Sequence, residues 1–470
     1  MTDELRKIAI IRILFGSLEL YRVLNNATGM FLSQGYKLIG EEWIYLCTTA
    51  ILLIFFITGK KLVIVSAITA AVLPKFENVF GCGSISTPLF VYFGIFLSMW
   101  TWMLNKYKLD KEENHLLGLQ VLDKLYWFLF ASYGILNLLS AYVHIKDPYW
   151  QSGDAMEMFY AHHFWGKWYE EFRNMHGPSW WNHFMHWLSW SVLASQLLLI
   201  PAYLFKWSRK LLFIWFIILI INIAFLLRVV FLPHFTLLLF VLLFYKRSPQ
   251  FYGKDLFKID HKLPELRNFF KVFYVVGGVL LMLKTPVVSQ GVDKVFWFVR
   301  EWDTRVWLMK KTSQIGYFQP VVINADHLEG HKRFVLYRQN TKNKLELVPI
   351  LSPKGKRLSY WPDPLFSENQ GIEQIYANTM GHITGYDSFT YENSPTPYKF
   401  RQRAIHRLIM LDYRATLSKD SAVYVVQFYE RRKPSTSGKP SWDFSDTLMG
   451  KFTYVYWGDS DKFKIIRHQE

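Results

Sequence analysis

The sequence predicts a polytopic α-helical membrane domain of about nine spans, followed by a soluble α+β domain with a largely antiparallel sheet. Three observations carry this reading. From Ile8 to Pro286, runs of Leu, Ile, Phe and Val recur, and a hydrocarbon core of ~30 Å takes roughly 20 apolar residues as helix. Inside lipid no water satisfies backbone N–H and C=O groups, so such runs must be helical there. Lys and Arg clusters sit in every second gap between the runs. Finally, 51% of residues are hydrophobic but the mean hydropathy is only +0.09. A polar tail, without a bilayer-length apolar run from about Phe296 to Glu470, accounts for that low mean. The chain therefore divides into a membrane domain over 1–290 and a second domain over 291–470.

Spans are expected at about 8–24, 43–58, 62–80, 88–104, 117–143, 182–205, 211–227, 229–245 and 268–286. The basic gaps are then Arg6/Lys7, Lys60/Lys61, Lys106/Lys108/Lys111, Lys206/Arg209/Lys210 and Lys246/Arg247. Short loops rich in Lys and Arg face the cytoplasm. The N-terminus is therefore expected inside, and the gaps at 25–42, 74–87 and 144–181 outside. An odd number of crossings leaves the tail extracytoplasmic. The segment 211–245 reads either as two short crossings hinged at Arg228–His234 or as one tilted helix with a re-entrant piece. Two crossings keep the charge alternation. Pro74, Pro201 and Pro233 are expected at helix ends or kinks. The first run follows Arg6 and Lys7 with no small-residue cleavage site, which reads as a retained helix.

The net charge of +17 resides largely in these loops and the tail. Aromatic-flanked basic residues at bilayer edges are interfacial anchors, so the expected acidic partners are membrane lipids, and no nucleic acid is expected. Cys47 and Cys82, the two cysteines, lie near the outer ends of spans and read as buried thiols or as a bonded pair. The tail then has no disulfide framework.

The outer segment 144–186 is crowded with Trp, Tyr, His and carboxylates, which suits one or two helices on the membrane surface. Its DPYWQSGDAM stretch follows an apolar span, RILFGSLELYR opens the chain, and ENVFGCG precedes another span. In order and spacing these resemble the HTTM family, the membrane domain shared by vitamin K-dependent gamma-carboxylases and many bacterial proteins. The resemblance covers roughly 5–290. It implies a quinone-like cofactor, with a base just before the DPYW segment that starts the quinone chemistry. The family's base is a lysine. Here the matching position is His144, with Lys146 two residues later. An imidazole of ordinary pKa ~6.5 takes protons near neutrality, whereas a lysine needs desolvation to do so.

Each candidate has a plainer reading beside the chemical one. His144 can cap the outer end of its span, and Lys146 can anchor at the interface. Lys75 and Glu77 follow Pro74 at the outer end of a span, where a bundle cavity would open; a solvated connector is the alternative. Ionisable groups at membrane depth are functional candidates, which adds Glu19, Arg22 and Arg228. Asn137 and Asn222 are expected to hydrogen-bond between helices. His162, His163, His176, His183 and His186, with Glu170 and Glu171, fit no metal signature, although His183 and His186 would share a helix face.

In the tail an amphipathic helix is expected over 296–316, strands at QPVVIN, KRFVLYR and KLELVPIL, and helices at about 368–381 and 398–416. AVYVVQFYERR, KFTYVYWG and FKIIRH complete the sheet, and 434–441 reads as a hairpin loop. His382 and His406 stand alone, and no catalytic signature is present.

Two functions follow. One is an enzyme at the outer face of a bacterial cytoplasmic membrane, acting on a quinone, lipid or exported peptide. The other is a non-catalytic anchor whose extracytoplasmic domain docks a protein partner. A transporter ranks below both, since no inverted repeat is visible.

Overall fold

A computed structural model describes residues 2–33, 40–80, 87–145, 148–160, 169–204, 206–226, 232–244, 265, 268–272, 275, 331–340, 342–348, 405, 408–409, 412–413, 421–432, 445–457 and 462–467. The apolar runs form helices α1 (Thr2–Ser33), α2 (Gly40–Thr58), α3 (Leu62–Phe80), α4 (Thr87–Tyr107) and α5 (His115–His144). The segment after α5 forms three short helices, α6 (Pro148–Ser152), α7 (Ala155–Tyr160) and α8 (Tyr169–His176). Then come α9 (Pro178–Leu204), α10 (Lys206–Leu226) and α11 (Leu232–Phe244).

Local chemistry sets the ends. α2 stops at Gly59, whose φ of 76° lets its N–H return to the Phe55 carbonyl at 2.9 Å. Arg12 of α1 donates to the Ile57 carbonyl at 3.1 Å, which satisfies another terminal acceptor. Asn114 donates its amide to the carbonyls of Tyr107 (3.2 Å) and Lys108 (3.3 Å), closing α4. Gly177 ends α8, and Pro178 opens α9 where a missing N–H costs nothing.

α1–α5 and α9–α11 pack as a bundle in which α11 lies against both α1 and α4. Its core is aromatic: Phe15 sits 4.4 Å from Phe93 and 5.0 Å from Phe235, centroid to centroid. The outer faces are equally apolar. Leu211, Ile214, Ile218 and Ile221 form an exposed stripe on α10, and Ile10, Ile13 and Leu14 another on α1. Contiguous exposed aliphatic rows of this kind suit lipid rather than water.

Three stretches among the described residues are long and apolar enough to cross a membrane: Thr87–Tyr107, Glu112–Tyr142 and Ser179–Tyr203. Glu42–Thr58, Leu62–Leu73 and Pro233–Phe244 are shorter apolar helices. Nine spans were expected; Arg12, Glu19 and Arg22 interrupt α1, and Lys206, Arg209 and Lys210 open α10. The first helix also runs past residue 24 to Ser33, because its pair Glu19–Arg22 is buried and satisfied within the helix. α3 continues through Pro74 to Phe80, and Pro201 lies inside α9, near its end. α10 and α11 are separate helices; Arg228 lies outside the described residues. Of the expected span 268–286, residues 268–272 and 275 are described, and they are helical.

The tail folds around β1 (His331–Gln339), β2 (Leu345–Leu347), β3 (Ser421–Arg432), β4 (Ser445–Trp457) and β5 (Lys462–Arg467). They form an antiparallel sheet of order β2-β1-β3-β4-β5. Alternation decides its buried face: Phe452, Tyr454 and Tyr456 pair with Val426, Tyr424 and Ala422. Ile405, Leu408, Ile409 and Asp412, within the expected helix 398–416, are buried as well, and Tyr413 stacks edge-on against Tyr456 at 5.0 Å. The expected QPVVIN strand, the helices at 296–316 and 368–381, and the 434–441 loop lie outside the described residues.

Candidate functional site

His144, the last residue of α5, is 4% exposed. Its Nδ1 lies 2.9 Å from Oε1 of Gln196 on α9, the helix against which α5 packs. An amide oxygen only accepts, so Nδ1 carries the proton and Nε2 keeps its lone pair. Nε2 is buried without a hydrogen-bond partner among the described residues. Trp150 of α6 stacks over the ring, with centroids 4.1 Å apart and planes at 14°. His144 stands just beyond the apolar stretch Glu112–Tyr142. Burial drives its pKa down to about 4, and the Gln196 hydrogen bond opposes this only in part. The result is a neutral imidazole whose buried Nε2 can accept a hydrogen bond, while burial makes the ring harder to protonate than a free imidazole.

The DPYWQSGDAM segment holds this arrangement together. Gly153, at φ 84°, turns the chain tightly between α6 and α7. Asp154 accepts from Ser152 Oγ at 2.8 Å and pairs with His186 Nε2 of α9 at 2.9 Å. The Met156 N–H donates to Ser189 Oγ at 2.9 Å, and Ser189 donates onward to the Met185 carbonyl. Gln151 donates to the Ile145 carbonyl at 2.7 Å. Tyr160 donates its hydroxyl to Asn222 of α10, and burial raises its pKa. Trp150, Ala155, Met156 and Tyr160 join Trp181 and Leu188 of α9 in one apolar cluster.

The other expected residues do not converge on His144. Lys146 and Arg228 lie outside the described residues. Lys75 and Glu77 sit on the last turns of α3, with their side chains outside the described set. Arg22 Nε bonds both carboxylate oxygens of Glu19 at 3.1 Å, and its Nη2 lies 3.4 Å from Thr87 Oγ1. The Arg22–Thr87 contact joins α1 to α4, and the Glu19–Arg22 pair lies within α1.

His183 and His186 both lie on α9, His183 exposed and His186 engaged by Asp154. Among the described residues no three His, Cys, Asp or Glu side chains gather at metal-binding distance; His162, His163 and the Glu170 side chain lie outside them. His176 packs against Trp180 at 4.6 Å. Asn137 donates to the Tyr133 carbonyl of its own helix at 2.8 Å rather than to a neighbour. Asn222 does bond another helix. Cys47 is an exposed free thiol, because its side of α2 faces outward, and Cys82 is outside the described residues.

Gln196, Asp154, Ser189 and Gly153 were not singled out from the sequence. A signal existed for Gln196, a lone amide within SVLASQLLLIPA, since polar groups in apolar helices turn inward to partners. In the tail, Asp412 accepts from Tyr424 Oη at 2.9 Å and from Arg338 Nη1 at 3.1 Å, a buried structural tie. His382 and His406 lie outside the described residues. No protein-family model, curated protein or solved structure matches this chain.

Proposed function

We propose that the chain is a membrane enzyme working at the outer face of a bacterial cytoplasmic membrane, with His144 Nε2 as the hydrogen-bond acceptor for a substrate O–H. The observation that carries this reading is the buried Nε2 of His144, which has no hydrogen-bond partner among the described residues. A buried acceptor left unsatisfied costs about 1–3 kcal/mol, so its retention suits a site completed by a ligand. The resemblance of RILFGSLELYR, ENVFGCG and DPYWQSGDAM to HTTM proteins favours a quinone, lipid or exported peptide as substrate. Nine crossings, an inside N-terminus and an extracytoplasmic tail complete the proposal, supported by the alternation of basic loops.

The test is a binding measurement with a short-chain naphthohydroquinone on protein reconstituted in nanodiscs. His144→Phe should abolish binding while the protein stays inserted. Undiminished binding, or an intact cellular phenotype in that variant, would refute the assignment of His144. A second reading, an anchor whose tail docks a protein, is favoured by Trp457 (39% exposed) and Ile466 (41%) on one face of the sheet. It predicts that Trp457→Ser removes function with no effect on hydroquinone binding.

A further inference from the structure

We propose that the segment Pro148–Tyr160 is a latched cover over His144, and that the Asp154–His186 pair is its latch. The inference rests on the reading that His144 takes a ligand, and it concerns how that ligand gains entry.

Access is the starting point. Trp150 lies flat on one face of the imidazole, Gln196 occupies Nδ1, and Nε2 is buried. A ligand can reach Nε2 only if something moves. The covering helices α6 and α7 have five and six residues, far below the length at which a helix is stable alone in water. Their position therefore depends on what ties them to α9.

Among the described polar ties to α9, the one that involves a carboxylate, Asp154–His186, is more exposed than the buried Met156–Ser189 bond. Trp150 is 2% exposed, whereas the Asp154 and His186 side chains are 23% and 36% exposed. The latch thus sits at the surface and holds a buried aromatic ring in place. Gly153 makes the close approach feasible: a Cβ there would lie 3.0 Å from Trp190 Nε1 and 3.2 Å from His186 Cγ. The Met156 N–H to Ser189 bond fixes the segment one turn farther along α9. Asp154 and His186 are accordingly positioning residues: they set where Trp150 lies and touch no substrate.

The experiment is acylation of histidines by diethyl pyrocarbonate on the full chain in nanodiscs, read residue by residue by mass spectrometry. Exposed His183, on the same helix as the latch, is the internal standard. In the unmodified protein His144 should react far more slowly than His183. Asp154→Ala and His186→Phe should each speed His144 acylation roughly tenfold, the factor that losing one charged hydrogen bond carries, with His183 unchanged. Hydrogen exchange of the Met156 amide should accelerate in parallel.

Equal reactivity of His144 and His183 in the unmodified protein would overturn the cover. So would unchanged His144 acylation in both variants, or a His144 that reacts while the Met156 amide stays protected. The measurements on unmodified protein decide the matter even if a variant fails to fold. None of them reads activity or hydroquinone binding. A failed cover therefore leaves the role of His144 standing, and a failed role leaves the labelling pattern as it is.

Discussion

At the scale of single residues, His144 couples stability to pH. Its folded pKa of about 4 lies below the ordinary 6.5, because burial disfavours the charged ring. Between these two values the unfolded chain binds a proton that the folded chain refuses. The stability is therefore fully present above about pH 6.5 and drains away as pH falls toward 4. A depression of that size corresponds to about 3 kcal/mol at most. Thermal melts of the detergent-solubilised protein should show a fall in Tm between pH 6.5 and 4.5 that His144→Phe flattens. An equally steep fall in the variant would place the acid-labile group elsewhere. Gln196→Leu should destabilise the fold by about 1–3 kcal/mol near neutral pH, since it leaves Nδ1–H buried without an acceptor. His144 was visible in the sequence because it precedes a distinctive segment. The meaning of Gln196 was not, since 52 residues separate the partners and only the packing of α5 on α9 joins them.

At the scale of elements, close packing and turn geometry carry the energetics. Gly94 of α4 meets α3 so closely that an added Cβ would lie 3.2 Å from the Ser66 carbonyl oxygen. Ser98 donates to the Val63 carbonyl at 2.7 Å across the same contact. Backbone cannot give way as a side-chain tip can, so Gly94→Leu should cost about 1–3 kcal/mol through overpacking. A denaturation series that finds the variant as stable as its parent would remove this contact from the account. Gly153→Ala meets a different obstacle, the left-handed backbone, which costs about 1–2 kcal/mol for an L-residue. Helix positions were largely legible because apolar runs announce them: the expected 62–80 coincides with α3, and 117–143 falls within α5. What escaped was the continuation of α1 to Ser33 and the number of short helices after α5. Buried pairing in the first case, and attachment to α9 in the second, stabilise helices that composition alone would have ended.

At the scale of the whole molecule, the proposed topology rests on the alternation of basic loops. The Lys106 ammonium lies 3.8 Å from Glu265, and Phe269 packs on Trp102 at 5.6 Å. These contacts bring Glu265 and Phe269 to the basic end of α4. On the proposed topology the expected span 268–286 would leave on the opposite side, so that the tail and His144 would share one side of the membrane and the basic loops the other. Two positions discriminate cleanly: Lys111, exposed before α5, and Leu448, 38% exposed on β4. In a cysteine-free background, a membrane-impermeant maleimide added to intact spheroplasts should label Leu448→Cys and spare Lys111→Cys, with both labelled after lysis. The reverse pattern would put the sheet in the cytoplasm and His144 at the inner face, and the charge argument would fall with it. Labelling of neither position before lysis would mean an even number of crossings after Lys111, and the expected span over 268–286 would then be the run to discard, because the described residues hold only its beginning.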